Sequence, residues 1–328
     1  MNRQNLFIFN SKRGTYREVL CFFLKLICIL IALAFFMSVI VMPQYRYVYT
    51  GSLEDKMNRL QSLNESKIVL IGNSNLSFGI NSVLLEETFD MPVVNMGLHG
   101  SLGNAFHEEM AKINLHEGDI IVVAHSNYAD QDKISDPVTA WISVENDPQL
   151  WRLIRKKDIP DMYSSFSVYA KKALTLWASK EGNYPDHGNV YSRLAFNEYG
   201  DVIFERTTRS YTFTENSVRV PEINAICTKR LNTLNQYVTE HGASLVIAAY
   251  PIAYGEFTPP EADYIQFQTE LQEALDCPVI SDYRDYFIDY DLFFDTNLHL
   301  TNEGADLRTQ QLIRDLEKWM SSVNPRHL

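Results

Sequence analysis

The chain has 328 residues, 46% of them apolar, and a formal net charge of −12. That apolar content excludes a disordered chain, and the length suits one large domain or two small ones. The acidic balance, with no basic cluster in the body, excludes nucleic acid as a partner and means that any glycan or teichoic-acid substrate is not held by bulk electrostatics.

In chain order, residues 1–18 form a short arm carrying Arg3, Lys12, Arg13 and Arg17. Residues 19–42, VLCFFLKLICILIALAFFMSVIVM, have Lys25 as their only charge and match the roughly 20 apolar residues that cross a bilayer as a helix. Basic residues before this run, against Arg46, Glu54 and Asp55 after it, predict a cytoplasmic N-terminus and an extracytoplasmic remainder. Lys25 can snorkel toward the headgroups. The run is too long for a signal peptide and ends in no A-x-A-like site. The expectation is an uncleaved single-pass anchor in the cell membrane, with the lipid bilayer as a partner.

Residues 43–66 read as a stalk with a short amphipathic helix around Leu53 to Leu63, and residues 67–328 as the extracytoplasmic domain. Apolar runs recur at 67–72, 91–97, 119–125, 244–250 and, more weakly, 277–282. Helical segments at 81–88, 103–114, 222–241, 261–275 and 302–322 separate or follow them. Strands alternating with helices imply a parallel sheet covered on both faces. The fold class is therefore α/β, a three-layer sandwich with a doubly wound, mainly parallel five-stranded sheet. Residues 130–220 interrupt the rhythm as a long insertion rich in Tyr, Trp, Ser and Asn. Within it, RLAFNEYGDVIFER (193–206) reads as a β-hairpin turning near Gly200. Its place after a strand end makes it a lid, a substrate platform or a surface elaboration.

Polar residues stand where apolar runs end: Ser74 in IGNSN, Gly100 in NMGLHG, Asn127 in AHSNYAD, and Asp295 and His299 in DTNLHL. Ser and Asn are also ordinary turn and cap residues, and His299 also reads as a surface residue before a helix. In an open α/β sheet, however, all these positions gather along the carboxyl edge where ligands bind. Their chemistry fits together: a serine needs a base, the base an orienting acid, and the oxyanion its donors.

In these blocks the chain resembles the SGNH, or GDSL-type, hydrolases over about residues 67–128 and 244–320. The resemblance implies Ser74 as nucleophile, His299 as base and Asp295 as acid, with Ser74, Gly100 and Asn127 forming the oxyanion hole. Three departures stand out. Gly-Asn-Ser replaces Gly-Asp-Ser, Ser126 precedes Asn127 where a glycine is usual, and three residues instead of two separate Asp295 from His299. The wider spacing leaves Asp291 open as the acid, and His99 and His125 remain alternative bases. A metal site from His99, His125 and Asp295 has no known ligand spacing, and no cofactor is implied. Four cysteines make no disulfide framework; Cys21 and Cys28 lie in the apolar run, and Cys227 and Cys277 could pair only if the fold joins them.

Membrane-tethered members of the resembled family act in O-acylation of cell-surface polymers, beside a multispanning membrane acyltransferase. The implied function is acyl transfer or ester hydrolysis, of O-acyl groups such as O-acetyl, on a cell-envelope glycan or teichoic-acid-like polymer, through an acyl-serine. The alternative is an idle domain of the same fold that binds glycan or bridges membrane partners.

Overall fold

The structure, a computed structural model, describes residues 8–129 and 132–323, with side chains from Tyr16 onward. Residues 1–7 of the basic arm, Arg3 among them, lie outside the described residues, as do Asp130 and Gln131. The chain divides into two units. The smaller holds the residues up to Gln44 together with Ala170–Asn183. Its first helix, α1 (Ile8–Phe36), continues through a π-helical turn at Met37–Val41. The stretch Tyr16–Val41 is long and apolar enough to cross a membrane, and its most apolar part has no buried residue, consistent with a membrane anchor or a signal sequence. Trp177 meets Phe36 edge-on, with ring centroids 5.8 Å apart. The Asn183 backbone N–H donates to the Gln44 carbonyl at 2.9 Å, and its side-chain amide donates to the Pro43 carbonyl.

The larger unit takes Tyr45–Tyr169 and the chain from Tyr184 onward. From Tyr45 on, the segment expected as a stalk belongs to it: α2 (Ser52–Ser62) sets Leu53, Met57 and Leu60 into the core. Short runs of Val and Ile, whose branched side chains suit a pleated surface, form β1 (Ile68–Ile71), β2 (Val93–Asn95), β3 (Ile120–Val123) and β4 (Ser244–Ile247). All pair in parallel, in the order β2-β1-β3-β4. Alternate side chains point to opposite faces. Ile68, Leu70, Val93, Val122 and Val246 pack on one side with Leu85, Leu312 and Leu316. Val69, Ile71, Val94, Val123 and Ile247 pack on the other with Leu53, Phe106 and Leu231.

Five of the remaining helices fall close to their expected places, and the short helix directly after β1 and the two in the insertion were not expected. α3 (Ser74–Ser77) and α4 (Ser82–Phe89) follow β1, α5 (Asn104–Met110) precedes β3, and α6 (Pro137–Val144) and α7 (Ile159–Ser179) lie in the long insertion. α8 (Ala225–Glu240) precedes β4, α9 (Glu261–Ala274) follows β5 (Ile252–Tyr254), and α10 (Asn302–Val323) follows β6 (Phe287–Asp289). The expected fifth sheet strand does not form. Residues 277–282 contribute a single parallel bridge, Ile247 to Val279, because Pro278 has no N–H to give a ladder. β5 and β6 pair with each other in a separate two-stranded parallel sheet.

Part of the insertion is built into the core, with Ile134, Val144, Leu153 and Val202 buried there. The expected hairpin is reduced to one antiparallel bridge, Phe196 to Val202, with a turn at Gly200. Gly200 has φ +99°, and a Cβ there would stand 2.2 Å from the Asn95 carbonyl oxygen, so only glycine fits. The buried Lys56 ammonium donates to the Asn95 carbonyl at 2.8 Å and to the Gly200 carbonyl at 2.5 Å. Burial pulls its pKa down to about 7. Asp201, likewise buried, accepts from the Ser82 N–H and hydroxyl and from the Asn95 amide; burial raises its pKa.

Candidate active site

β1 ends at Ile71, and the chain turns at once. At Gly72 a Cβ would lie 2.9 Å from the Ala124 carbonyl oxygen, so the β1 and β3 exits are pressed together there. Asn73 then caps α3, its side chain accepting the Asn75 N–H at 3.0 Å. This sets Ser74 at the first position of a helical turn.

The loop before α10 brings the other groups. The Ser74 hydroxyl lies 2.8 Å from His299 Nε2, and His299 Nδ1 lies 2.8 Å from Asp295 Oδ1. The extra residue between Asp295 and His299 costs nothing in reach. The loop turns so that the His299 N–H donates to the Thr296 hydroxyl at 3.0 Å. Asp291 does not take part: its side chain is 84% exposed and pairs with Arg209 at 3.3 Å, while that of Asp295 is 18% exposed. Burial raises the pKa of Asp295, but hydrogen bonds from His299 and Tyr191 outweigh it and hold the carboxyl below its ordinary value.

Two residues of this cluster have no signal in the sequence blocks. Tyr191, from the insertion, donates its hydroxyl to Asp295 Oδ2 at 2.6 Å and stands 3.3 Å from His299 Nδ1. Burial, with the bond to Asp295, raises its own pKa. Phe78 lies flat against His299, centroids 3.9 Å apart and planes 6° from parallel. It sits four residues after Ser74, one helical turn on, the one hint that could have pointed to it. The Arg206 guanidinium lies over the Phe78 ring, 5.3 Å from its centroid. It donates to the Leu300 carbonyl at 3.0 Å and to the Phe78 carbonyl at 3.3 Å.

The proposed oxyanion donors lie on the two neighbouring loops. Gly100 opens a 3₁₀ turn at Gly100–Leu102, with its Cβ position 3.6 Å from Asn73 Cβ, next in sequence to Ser74. Asn127 is exposed after β3, and its Oδ1 accepts the Ala129 N–H at 2.8 Å, which orients the Nδ2 end away from that backbone. Asn104 Nδ2 donates to the Asn127 carbonyl at 2.5 Å. The two nearby sequence departures act together. Asn73 Nδ2 donates to the Ser126 hydroxyl at 2.7 Å, a bond that a glycine at 126 could not make.

The other histidines have separate surroundings. His125 is buried against Glu108 at 3.0 Å, and Glu108 is also held by Arg230 at 2.5 Å. His99 Nδ1 lies 2.8 Å from the Ser101 hydroxyl; burial, with the nearby His299, lowers its pKa although Asp136 opposes. Among the described residues, no three His, Cys, Asp or Glu side chains converge as metal ligands, and His99, His125 and Asp295 do not form a cluster. Cys227 and Cys277 are both buried free thiols, and Cys21 and Cys28 are exposed on α1. Comparison of the chain with protein-family models and with curated proteins finds no match.

Proposed function

We propose that this is a membrane-anchored, extracytoplasmic serine acyltransferase or esterase of SGNH type, acting on O-acyl groups of a cell-envelope glycan through an acyl-serine. One observation carries the reading: the unbroken hydrogen-bonded line Ser74–His299–Asp295 at the carboxyl edge of a parallel sheet. Strand order and strand-end loops are in keeping with a three-layer sandwich of that type.

In this mechanism Ser74 Oγ attacks the acyl carbonyl as its proton passes to His299 Nε2. Asp295 accepts the Nδ1–H, fixes the tautomer and stabilises the imidazolium. The backbone N–H groups of Ser74 and Gly100, with Asn127 Nδ2, receive the oxyanion. His299 then returns its proton to the departing alcohol, leaving the acyl-serine. In the second half, water or a sugar hydroxyl gives its proton to His299 and attacks the same carbonyl, and the bond to Ser74 Oγ breaks as His299 returns that proton to the serine. Hydrolysis and transfer thus share every protein group and differ in the acceptor. We favour transfer to a sugar hydroxyl of an envelope polymer, since α1 read as an anchor keeps the site beside the membrane, next to a multispanning acyl donor.

The idle-domain reading drew its support from the unusual Asp–His spacing, and that spacing still closes a 2.8 Å bond. The test is labelling of the full-length protein in detergent with a fluorophosphonate, which reports an activated serine. Labelling lost in Ser74→Ala and in His299→Ala is the expected result. A wild-type protein that stays unlabelled and turns over no small acetyl ester would overturn the proposal.

A further inference from the structure

We infer that the end of α7 and the loop after it, Ala170–Asn183, lie in the headgroup and upper acyl region of the bilayer that α1 crosses, so that the smaller unit is a two-part membrane foot. The inference rests on reading α1 as an anchor. Its partner is a lipid surface, recognised through an apolar face edged by cations.

The placement follows from where this segment is tied. Trp177 packs edge-on against Phe36 at 5.8 Å, and Asn183 bonds to Pro43 and Gln44, directly after the apolar stretch. Phe36 precedes Val41, the end of the membrane-length stretch, by five residues, or roughly 8 Å of helix. A side chain packed on Phe36 therefore sits at the depth where tryptophan collects in membrane proteins. The Phe36 contact leaves much of the indole uncovered: Trp177 is 41% exposed, and Leu174, three residues earlier on the same helical face, is 44% exposed. Around them Lys171, Lys172 and Lys180 are exposed, against one acid, Glu181. An apolar face with lysines beside it suits an interface of anionic headgroups. A protein partner at this depth would have to share Phe36's side of α1, where Phe35 and Val39 are also open.

The experiment uses the full-length protein reconstituted in vesicles of phosphatidylcholine and phosphatidylglycerol, with and without bromine near the headgroup end of the lipid chains. Subtracting the emission of Trp177→Phe from that of the wild type isolates Trp177 from the other three tryptophans. Brominated lipid should quench that difference about twofold or more, as expected of an interfacial indole. In the Trp177→Phe background, Leu174→Trp should restore the quenching and Thr175→Trp, on the opposite face, should not. Protein that floats with vesicles after an alkaline wash but shows an unquenched Trp177 overturns the inference and leaves the anchor standing. Protein that fails to float overturns the anchor reading, and the inference with it. Equal quenching at 174 and 175 also overturns the inference, since it is then no one-faced contact.

Discussion

The sheet edge and the 184–206 stretch both reach the His299 cluster, but they are fastened by different means. Ser74 hangs from β1, whose backbone is held by parallel ladders on both sides and whose exit is capped by Asn73. Tyr191 comes from a stretch with no ladder, held by isolated main-chain bonds and by individual polar side chains: Arg193 on Glu54 and Asp55, Lys56 on Gly200, and Ser82 and Asn95 on Asp201. The difference teaches where the protein is vulnerable. Main-chain pairing spreads the load over many bonds, whereas each buried polar side chain is a single point whose loss leaves its partner unsatisfied. Changes at the sheet edge should therefore remove chemistry and spare the fold, and changes in the insertion should act on stability or on the setting of the triad.

The largest effect should come from the sheet-edge side. Ser74→Ala and His299→Ala should each lower kcat for a small acetyl ester by about 10³-fold or more, with little change in melting temperature, and the double variant should be scarcely worse than either single. Additive losses would mean that the two do not act as one unit. Asp295→Asn comes next, with a loss on the order of 10- to 1000-fold, because the amide can favour the wrong imidazole tautomer. Asp291→Asn should be close to wild type, since that carboxylate faces solvent and Arg209. Reversal of these two results would move the acid to Asp291.

On the insertion side, Gly200→Ala should act on stability. It forces a side chain into a left-handed turn and against the Asn95 carbonyl, so a loss of about 2 kcal/mol or more is expected, read in chemical denaturation. An unchanged midpoint would show that this turn is not fastened to β2 as described.

The same contrast governs what the sequence could reveal. Ser74, Asp295 and His299 were legible because strand ends and short blocks place them, and a parallel sheet leaves those ends one common edge. The choice between Asp295 and Asp291 was not, since it depends on how the Thr296 turn curls the loop. The fifth strand failed because one proline outweighs an apolar run. The helix expected in the stalk formed, but its place in the core was hidden, because eleven residues with four charges look solvent-facing until Lys56 and Arg59 are seen to be bonded inward. Tyr191 had no signal at all: it lies 104 residues from Asp295 in sequence, in a segment without periodicity, and only tertiary packing joins them.

Tyr191→Phe is the smallest expected effect and the most direct test of whether the insertion takes part in the chemistry. The hydroxyl touches neither the nucleophile nor Nε2; it donates to Asp295 Oδ2, the oxygen that His299 does not use. That bond settles the carboxylate so that Oδ1 faces the imidazole, and it helps keep Asp295 ionised. Without it, Phe78 still stacks on the ring and Asp295 still bonds His299, so the triad survives with a less firmly held acid. One hydrogen bond to a charged group is worth about 1.5–3 kcal/mol when fully buried, and Tyr191 is partly exposed, so a loss of roughly 3- to 10-fold in kcat is expected, from about 1 kcal/mol. KM for a small ester and the melting temperature should stay near wild type, because the phenyl ring keeps its packing against Phe78 and Tyr49. A rise in KM with kcat intact would instead make Tyr191 a substrate contact, and a fall in melting temperature alone would make it one more fastening of the insertion.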